Sequence, residues 1–309
     1  MTIGETTALF STPFVGRLRD MRNLEVSIAG AESNVGIGFC RLGRSSSWIG
    51  RIGDDEFGQL ILKTLRAEGV DVASSVVDET RQTALMFKER SAENMVRVSY
   101  YRSGYAGSAL CPEDLDAKLI ESSRILHVTG ITLALSDTAR SAVHHAVQIA
   151  RASGVIVSLD FNFRSRLWSE EEAASVIRPL AHLADIIFAG EDELFVLGND
   201  EMRDVTALAD DGRREVVIKR GLRGATSITS SGILDEPAVS VRAVDPVGAG
   251  DAFVAGYLVA ALDGEDSAGR LKMGCVTGAF AASRFGDWEC LPRRDDLELL
   301  SRESGTTLR

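Results

Sequence analysis

Cysteine is scarce in this sequence, and its placement argues against a metal site or a redox pair. The four cysteines include no C-x-x-C pattern, and none has a histidine at metal-ligand spacing. A reduced, cytosolic interior is the environment that this pattern favours, with the cysteines as small buried hydrophobic side chains. They are Cys40, Cys111, Cys275 and Cys290.

Positive charge is also in short supply. The 34 lysines and arginines face 45 aspartates and glutamates, which gives a net charge of −11. This balance argues against nucleic acid or an anionic membrane as a partner, because both require a positive face. A small anionic substrate stays compatible with it, because such a molecule responds only to local charge.

Long apolar runs are missing as well. The longest run, residues 252–262, is about half of what a membrane span needs, and it contains Gly256. The first ten residues have neither a basic segment nor an apolar segment of the kind found in signal peptides. We therefore expect a cytoplasmic protein.

Two common nucleotide-binding motifs are absent. The chain has no G-x-x-x-x-G-K-[ST], so a P-loop enzyme is excluded. It has no G-x-G-x-x-G after an early strand, which disfavours a dinucleotide-dependent dehydrogenase.

The apolar pattern predicts an α/β protein with a mostly parallel sheet. Residues 57–68 are predicted as a helix, and residues 83–90 and 95–102 as a hairpin joined by the polar bend 91–94. Beyond residue 124, buried strands alternate with helices, which is typical of a parallel sheet covered on both faces. Ligands bind such sheets at the carboxyl ends of the strands. The predicted strands are 125–129, 155–159, 185–188 and 216–219, and the predicted helices are 136–152, 170–183, 252–262 and 271–284.

A glycine-rich turn, DPVGAGD at 245–251, precedes the helix that starts near residue 252. The β-leaning run 239–244 is predicted as a strand that leads into this turn and ends at Pro246. Gly248 and Gly250 let the backbone turn tightly, so the amides of Gly248, Ala249 and Gly250 can bind a phosphate at the helix N-terminus. Asp251 lies in the same turn, and we expect the helix dipole to favour its ionised form, as a catalytic base requires. Taken alone, these residues also fit an ordinary strand-to-helix turn.

This turn closely resembles the C-terminal signature of the PfkB (ribokinase-like) carbohydrate kinases. The N-terminal signature is present too, as GAESNVG at 30–36, RLG at 41–43 and GRIGDDEFG at 50–58. The resemblance covers the whole chain and implies a ribokinase-like three-layer core with a central mostly parallel sheet, plus a small β-sheet lid. It implies one domain over residues 1–309, with the lid mainly from residues 10–30 and 80–105. Asp251 would deprotonate the sugar hydroxyl, and the amides of residues 248–250 would bind the transferring phosphoryl group.

The resemblance also implies ATP and Mg²⁺ as cofactors. The turn KRGLRG at 219–224 matches the nucleotide-contacting turn of the family, with Lys219, Gly221 and Gly224 near the nucleotide. Glu193 matches the glutamate of an N-x-x-E motif that supports magnesium, but Gly190 replaces the asparagine, so any role in metal binding is indirect. Lys219 as a plain surface lysine and Glu193 as a solvated carboxylate are the alternatives.

Within the family, the chain most resembles the 2-keto-3-deoxygluconate kinases, through YYR at 100–102 and DFNFR at 160–164. A sugar acid carries a carboxylate, which a guanidinium can hold by two parallel hydrogen bonds. Arg102 as a solvated hairpin charge and Arg164 as a structural residue are the alternatives. Some relatives carry a tyrosine about where Met86 sits. The residues implied to surround the sugar are Gly30, Asn34, Tyr100, Arg102, Arg164 and Asp287.

The sequence thus predicts a kinase that converts 2-keto-3-deoxygluconate to its 6-phosphate. A kinase for fructose, ribose or a nucleoside is the first alternative, and a catalytically silent sugar or nucleotide sensor is the second. An open lid sheet tends to pair with another copy, so we expect a homodimer or a higher homo-oligomer formed through the lid.

Overall fold

The computed structural model of the chain describes residues 1–92, 95–198 and 201–297, which form fifteen strands and nine α-helices. The strands are β1 (Thr2–Ile3), β2 (Thr7–Ser11), β3 (Glu25–Ala29), β4 (Ser46–Ile49), β5 (Arg51–Gly53), β6 (Val70–Asp71), β7 (Val76–Asp78), β8 (Leu85–Ala92), β9 (Met95–Tyr101), β10 (Ile125–Thr129), β11 (Ile156–Asp160), β12 (Ile186–Gly190), β13 (Glu215–Lys219), β14 (Ala225–Thr229) and β15 (Gly232–Glu236). The helices are α1 (Ala31–Arg41), α2 (Glu56–Ala67), α3 (Ala117–Ser122), α4 (Gly130–Leu135), α5 (Asp137–Ala152), α6 (Glu170–Ala181), α7 (Glu201–Ala209), α8 (Ala249–Asp263) and α9 (Ser267–Ala282).

A nine-stranded sheet forms the centre, in the order β15-β14-β13-β12-β11-β10-β1-β4-β6. Neighbouring strands from β6 to β13 are parallel, and β14 and β15 are antiparallel. The predicted mostly parallel sheet is therefore confirmed. Its parallel strands end along one edge, where β11, β12 and β13 finish at Asp160, Gly190 and Lys219.

Helices cover both faces of this sheet. Alternate residues of one strand belong to different core clusters: Leu126 of β10 packs with α4, α5 and α6, whereas Ile125 packs with α1, α8 and α9. This alternation is what a strand buried on both sides requires. The predicted three-layer core is confirmed.

Helix α5 shows how the sequence fixes one of these elements. Ser136 precedes the helix, and its Oγ accepts the N–H of Ala139 at 3.1 Å, as predicted for an N-cap. The apolar side chains at 3.6-residue spacing are all fully buried: Ala139, Val143, Ala146, Val147 and Ala150.

A separate four-stranded sheet, in the order β3-β2-β8-β9, packs beside the core. Its inner face carries Leu9 and Met86, whereas Phe10, Phe87 and Tyr101 cluster on the opposite face. The predicted hairpin is confirmed as β8 and β9; residues 93 and 94 of its bend lie outside the described residues. The sheet begins at Thr7, earlier than the segment predicted as a lid, and its function as a lid stays a prediction.

The prediction of a strand over residues 239–244 is wrong. This run pairs with no strand in the part of the chain that the structure describes, and the chain reaches the glycine turn as a loop. The N–H groups of Val244 and Asp245 both donate to the carbonyl of Ala282, at 2.8 and 3.2 Å. β-Branched residues favour strands only where neighbouring strands pack against them, and none does here.

In the described residues, no helix combines the length and the apolar character that a membrane crossing demands.

Candidate active site

The glycine turn has the geometry that an anion site at a helix N-terminus needs. Gly248 precedes α8 and has a φ of 77°, a left-handed conformation that suits glycine. A Cβ on Gly248 would lie 2.4 Å from the carbonyl oxygen of Asp287, so a side chain would also collide with backbone. The turn therefore requires glycine for two independent reasons.

The amides of the turn are not equivalent. Within the part of the chain that the structure describes, no hydrogen bond engages the N–H of Gly248 or Gly250. The N–H of Ala249, by contrast, already donates to the carbonyl of Pro246 at 3.3 Å. Of the three backbone amides predicted for phosphate binding, those of Gly248 and Gly250 are therefore free, and that of Ala249 forms a long hydrogen bond within the turn.

Asp251 lies in the first turn of α8, and the side-chain amide of Asn34 links it by hydrogen bonds to Asp287. Asn34, on α1, donates from Nδ2 to Asp251 Oδ2 at 2.8 Å and to Asp287 Oδ1 at 2.5 Å. Asn34 Oδ1 is buried and has no hydrogen-bond partner among the described residues. The amide thus holds two carboxyl groups together and keeps one acceptor available for a further hydrogen-bond donor.

The protonation of this pair differs from the sequence-based expectation. Burial, followed by the nearby charge of Asp287, raises the pKa of Asp251 to about 8, although the bond from Asn34 acts against it. Burial also raises the pKa of Asp287 to about 6. The expectation that the helix dipole keeps Asp251 ionised was wrong, because desolvation outweighs the dipole at this depth. A base with a pKa near the working pH accepts and releases a proton readily.

The predicted sugar-binding residues converge beside this pair. The guanidinium of Arg102 lies 4.1 Å from the centre of the Tyr100 ring. Burial raises the pKa of Tyr100, and the charges of Arg102 and Arg164 oppose that effect, so both arginines lie near this phenol. Arg164 also lowers the pKa of Asp251 against the larger effect of burial. Arg164 is exposed and forms no ion pair with any described residue.

Gly30, itself one of the predicted sugar-binding residues, and Met86 lie in the same region. A Cβ on Gly30 would lie 2.5 Å from the carbonyl oxygen of Glu5, so only glycine fits. Met86 is paired with Tyr100 across β8 and β9. The position at which some relatives carry a tyrosine is thus directly beside Tyr100.

Glu5 is a site residue that the sequence analysis missed. Its Oε2 lies 2.9 Å from Arg102 Nη2, and its side chain is only 1% exposed. Burial raises the pKa of Glu5, and Arg102 opposes the rise. The strand before it, β1, has two residues and is too short to be recognised from an apolar pattern, so the strand-end signal was not visible.

The ends of β11, β12 and β13 bring a second charged group together. Lys219 Nζ donates to both carboxylate oxygens of Asp160, at 2.8 and 2.6 Å. Burial alone would lower the pKa of Lys219, but the charges of Asp160, Glu193 and Asp251 outweigh it and raise the pKa. A Cβ on Gly250 would lie 3.9 Å from Lys219 Nζ, so this cation adjoins the free amide of Gly250. Lys219 is therefore not a plain surface lysine.

The predicted nucleotide turn follows β13 directly. Gly221 and Gly224 have φ values of 55° and 94°, and a Cβ on Gly224 would lie 2.0 Å from the carbonyl oxygen of Glu236. Close backbone packing thus explains Gly224, while Gly221 has open space around it.

A magnesium ion fits here only if phosphate oxygens and water supply most of its ligands. Glu193 Oε1 accepts the N–H of Phe163 at 2.7 Å, and its Oε2 accepts the N–H of Gly190 at 2.6 Å. Within residues 1–92, 95–198 and 201–297, no group of three or more His, Cys, Asp or Glu side chains is arranged to hold a metal. Magnesium is commonly held in this way, by substrate phosphates and water. These residues fit the indirect role predicted for Glu193.

A buried carboxyl next to free amides at a helix N-terminus suits phosphoryl transfer to a hydroxyl group. Comparison with known proteins agrees with this class. Residues 1–294 match the pfkB family of carbohydrate kinases. The chain belongs to this family, and it is a sugar kinase.

Several relatives named for sugar-acid kinases resemble the chain over nearly its full length. It is 34% identical to a 2-dehydro-3-deoxygluconokinase of Bacillus subtilis, covering 96% of this chain and 93% of the relative. It is 32% identical to a 2-dehydro-3-deoxygalactonokinase of Haloferax volcanii, covering 93% and 92%. Fructokinase-2 of Oryza sativa is 34% identical over 74% of this chain and 69% of the relative.

Solved structures share the fold. A 2-dehydro-3-deoxygluconokinase of Thermotoga maritima has a TM-score of 0.87 and 25% identity, covering 97% of each chain. A structure from E. coli, described as a Ribokinase II in complex with ATP and Mg²⁺, has a TM-score of 0.89 and 25% identity, also covering 97% of each chain.

Proposed function

We propose that this kinase transfers the γ-phosphoryl group of ATP to the terminal hydroxyl of 2-keto-3-deoxygluconate and forms the 6-phosphate. The observation that carries this proposal is the convergence of Arg102 and Arg164 on Tyr100, beside Asp251. Two guanidinium groups suit a carboxylate, whereas a neutral sugar needs none. The names of the relatives in Bacillus subtilis and Thermotoga maritima support the same substrate.

The sugar acid would bind between the small sheet and the core. Its carboxylate would lie between Arg102 and Arg164, and its carbon face would pack on the Tyr100 ring. Its terminal hydroxyl would reach Asp251, with Asn34 Oδ1 as an acceptor for a neighbouring hydroxyl. The substrate is thereby oriented at both ends, which is how binding lowers the entropic part of the barrier.

Asp251 then acts as the general base. With a pKa of about 8, a minor fraction of Asp251 is ionised at neutral pH before substrate binds. The ionised carboxylate accepts the hydroxyl proton while the sugar oxygen forms a bond to the γ-phosphorus. The bond from the γ-phosphorus to the bridging oxygen breaks on the opposite side, and ADP leaves with both electrons of that bond.

The charge that develops on the transferring group is met by this chain's own donors. The N–H groups of Gly248 and Gly250 point out of the N-terminus of α8, where the helix dipole is positive. Lys219 adds a cation beside Gly250. When bound to the nucleotide, Mg²⁺ supplies further neutralisation of phosphate charge.

A second candidate is phosphorylation of a neutral sugar such as fructose. Glu5 favours this candidate, because its carboxylate lies against Arg102 and compensates one of the two positive charges. The similarity to the rice fructokinase agrees with it. The two candidates make opposite predictions for the arginines.

Arginine variants separate these candidates in a coupled assay of ADP release. Arg102→Ala and Arg164→Ala should each lower kcat/KM for 2-keto-3-deoxygluconate by about 100-fold, since each removes a charged contact with the substrate carboxylate. The same changes should alter kcat/KM for fructose by less than about threefold if that sugar is turned over. Arg97→Ala removes an exposed arginine of the same small sheet and serves as the matched control. Equal losses on both substrates would reject the sugar-acid assignment.

We also propose a homodimer that pairs the outer faces of two small sheets. Val26 and Tyr101 are 53% and 56% exposed on a sheet whose edge strands are β3 and β9. Such apolar exposure on an open sheet suits pairing with a second copy. Light scattering at micromolar concentration tests it, and a monomer would contradict it.

A cytoplasmic location stays a prediction that cell fractionation would test.

A further inference from the structure

Lys88 occupies an unusual place for a lysine. It lies on β8, on the same inner face of the small sheet as Met86, whereas Phe87 faces the other way and stacks on Phe10. The Lys88 side chain is only 6% exposed. A buried ammonium is strongly destabilising unless a carboxylate compensates it, so its partner matters.

The partner is Asp245, the first residue of the glycine turn. Lys88 Nζ donates to Asp245 Oδ2 at 2.7 Å, across 157 residues of chain, and the Asp245 side chain is 2% exposed. Among the residues that the structure describes, no other cationic side chain is within ion-pair distance of Asp245. Asp245 therefore depends on Lys88 for its ion pair, while the charge of Lys88 also lowers the pKa of Asp287 against the larger effect of burial.

The other oxygen of Asp245 shapes the turn itself. Asp245 Oδ1 accepts the N–H of Val247 at 3.1 Å, one residue before Gly248. One carboxylate thus contacts both a strand of the small sheet and the backbone that presents the free amides of Gly248 and Gly250. A change in the position of Asp245 would be transmitted directly to those amides.

We propose that Lys88 is a positioning residue for phosphoryl transfer: its ammonium fixes Asp245, and so orients the amides of Gly248 and Gly250, only while the small sheet lies against the core. If the sheet moves away, Lys88 leaves with it, and Asp245 keeps an uncompensated charge. The phosphate-binding amides are then in place mainly when the sugar is enclosed, which limits transfer to water. This role of Lys88 does not depend on which sugar is phosphorylated.

The test uses Lys88→Met, which removes the charge and keeps an unbranched apolar stem. With the sugar that the wild-type enzyme phosphorylates best, we expect kcat to fall about 100-fold, because small displacements in a site are costly. We expect the KM for that sugar to change less than about threefold, since Lys88 acts through Asp245 and not on the sugar. The ratio of ATP hydrolysis to sugar phosphorylation should rise by about tenfold. The kcat of Lys88→Arg should be at least about tenfold higher than that of Lys88→Met, because arginine restores a cation.

Arg90→Met is the matched control. Arg90 is on the same strand, and its guanidinium lies 4.2 Å from the Phe285 ring centre, so the change removes another contact between sheet and core without touching the turn. Its kcat should stay within about twofold of wild type, and its hydrolysis ratio should not change.

If Lys88→Met does not fold by circular dichroism, Lys88→Met/Asp245→Asn replaces it, because this double variant buries no unpaired charge. Its kcat should match that of Asp245→Asn alone, since both disrupt one linkage. A folded Lys88→Met or double variant with kcat within about threefold of wild type would overturn the proposal, since coupled positioning requires a larger loss. Equal losses in Arg90→Met would overturn it too.

Discussion

Replacing Asp287 with asparagine should move the pH dependence of catalysis to lower pH. Asp251 and Asp287 accept hydrogen bonds from the same Asn34 nitrogen, at 2.8 and 2.5 Å, so their bonded oxygens are at most about 5 Å apart. Two unit charges at that distance, with an effective dielectric constant of about 20, repel each other by about 3 kcal/mol, or about two pKa units. Because the charge of Asp287 raises the pKa of Asp251, its removal should lower that pKa from about 8.

The sign follows from the chemistry of a base, which is active only when deprotonated. In the wild type, kcat/KM for the sugar should rise with pH and level off above a midpoint near 8, the pKa of Asp251 before the sugar binds. In Asp287→Asn the midpoint should be one to two units lower, on the order of pH 6–7. The midpoint is the decisive quantity, since the height of the curve also reports any substrate contact that is lost.

The assay is ADP release with saturating Mg-ATP and limiting sugar, from pH 5.5 to about 9.5, a range that brackets both midpoints. Asp137→Asn is the control, because it removes a carboxylate that is 96% exposed. An unchanged midpoint in Asp287→Asn, or one displaced to higher pH, would refute the electrostatic coupling of the two carboxyl groups.

Three further predictions concern the same site. Asp251→Asn should stabilise the protein increasingly from pH 5 to pH 8, because the raised pKa makes the native carboxyl of the wild type resist ionisation. The gain in the free energy of unfolding, measured by chemical denaturation, should reach up to about 4 kcal/mol. A gain that is the same at every pH would contradict this. Gly248→Ala should lower kcat by at least about 100-fold, because a Cβ there would collide with the backbone of Asp287. The control Gly264→Ala lies at the other end of α8, with a similar φ but open space around it, and should lower the free energy of unfolding by only about 1 kcal/mol. Similar losses of kcat in both variants would contradict the backbone clash. Met86→Tyr should raise the kcat/KM ratio of 2-keto-3-deoxygluconate over its galactonate epimer by about tenfold, because a hydroxyl beside Tyr100 adds one stereospecific contact, and an unchanged ratio would reject that contact.

The sequence predicted those features that local pattern controls. Apolar spacing and the Ser136 cap identified α5, and the pair Gly248 and Gly250 identified the tight turn that leads into α8 before any strand order was known. The family resemblance added Asn34 and Asp287, which lie 217 and 253 residues from the groups they meet. Local pattern contains no information about contacts at such separation.

The features that sequence missed arise from tertiary packing. The pairing of Glu5 with Arg102 and of Lys88 with Asp245 depends on how the small sheet lies against the core. The raised pKa of Asp251 has the same origin, because desolvation depends on everything that surrounds a carboxyl group. The β-rich run 239–244 formed no strand, and no strand among the described residues pairs with it, although strand formation depends on such a partner.

The central claim is that Asp251 activates a sugar-acid hydroxyl for attack on ATP. Its most direct test is to incubate the wild type and Asp251→Ala with Mg-ATP and 2-keto-3-deoxygluconate, and to locate the phosphate by ³¹P NMR. The wild type should form the 6-phosphate with equimolar ADP, and the variant should bind ATP but form product at least about 1,000-fold more slowly, since the base is lost. Preferential phosphorylation of fructose, or product formation by the variant at a rate near that of the wild type, would contradict the account.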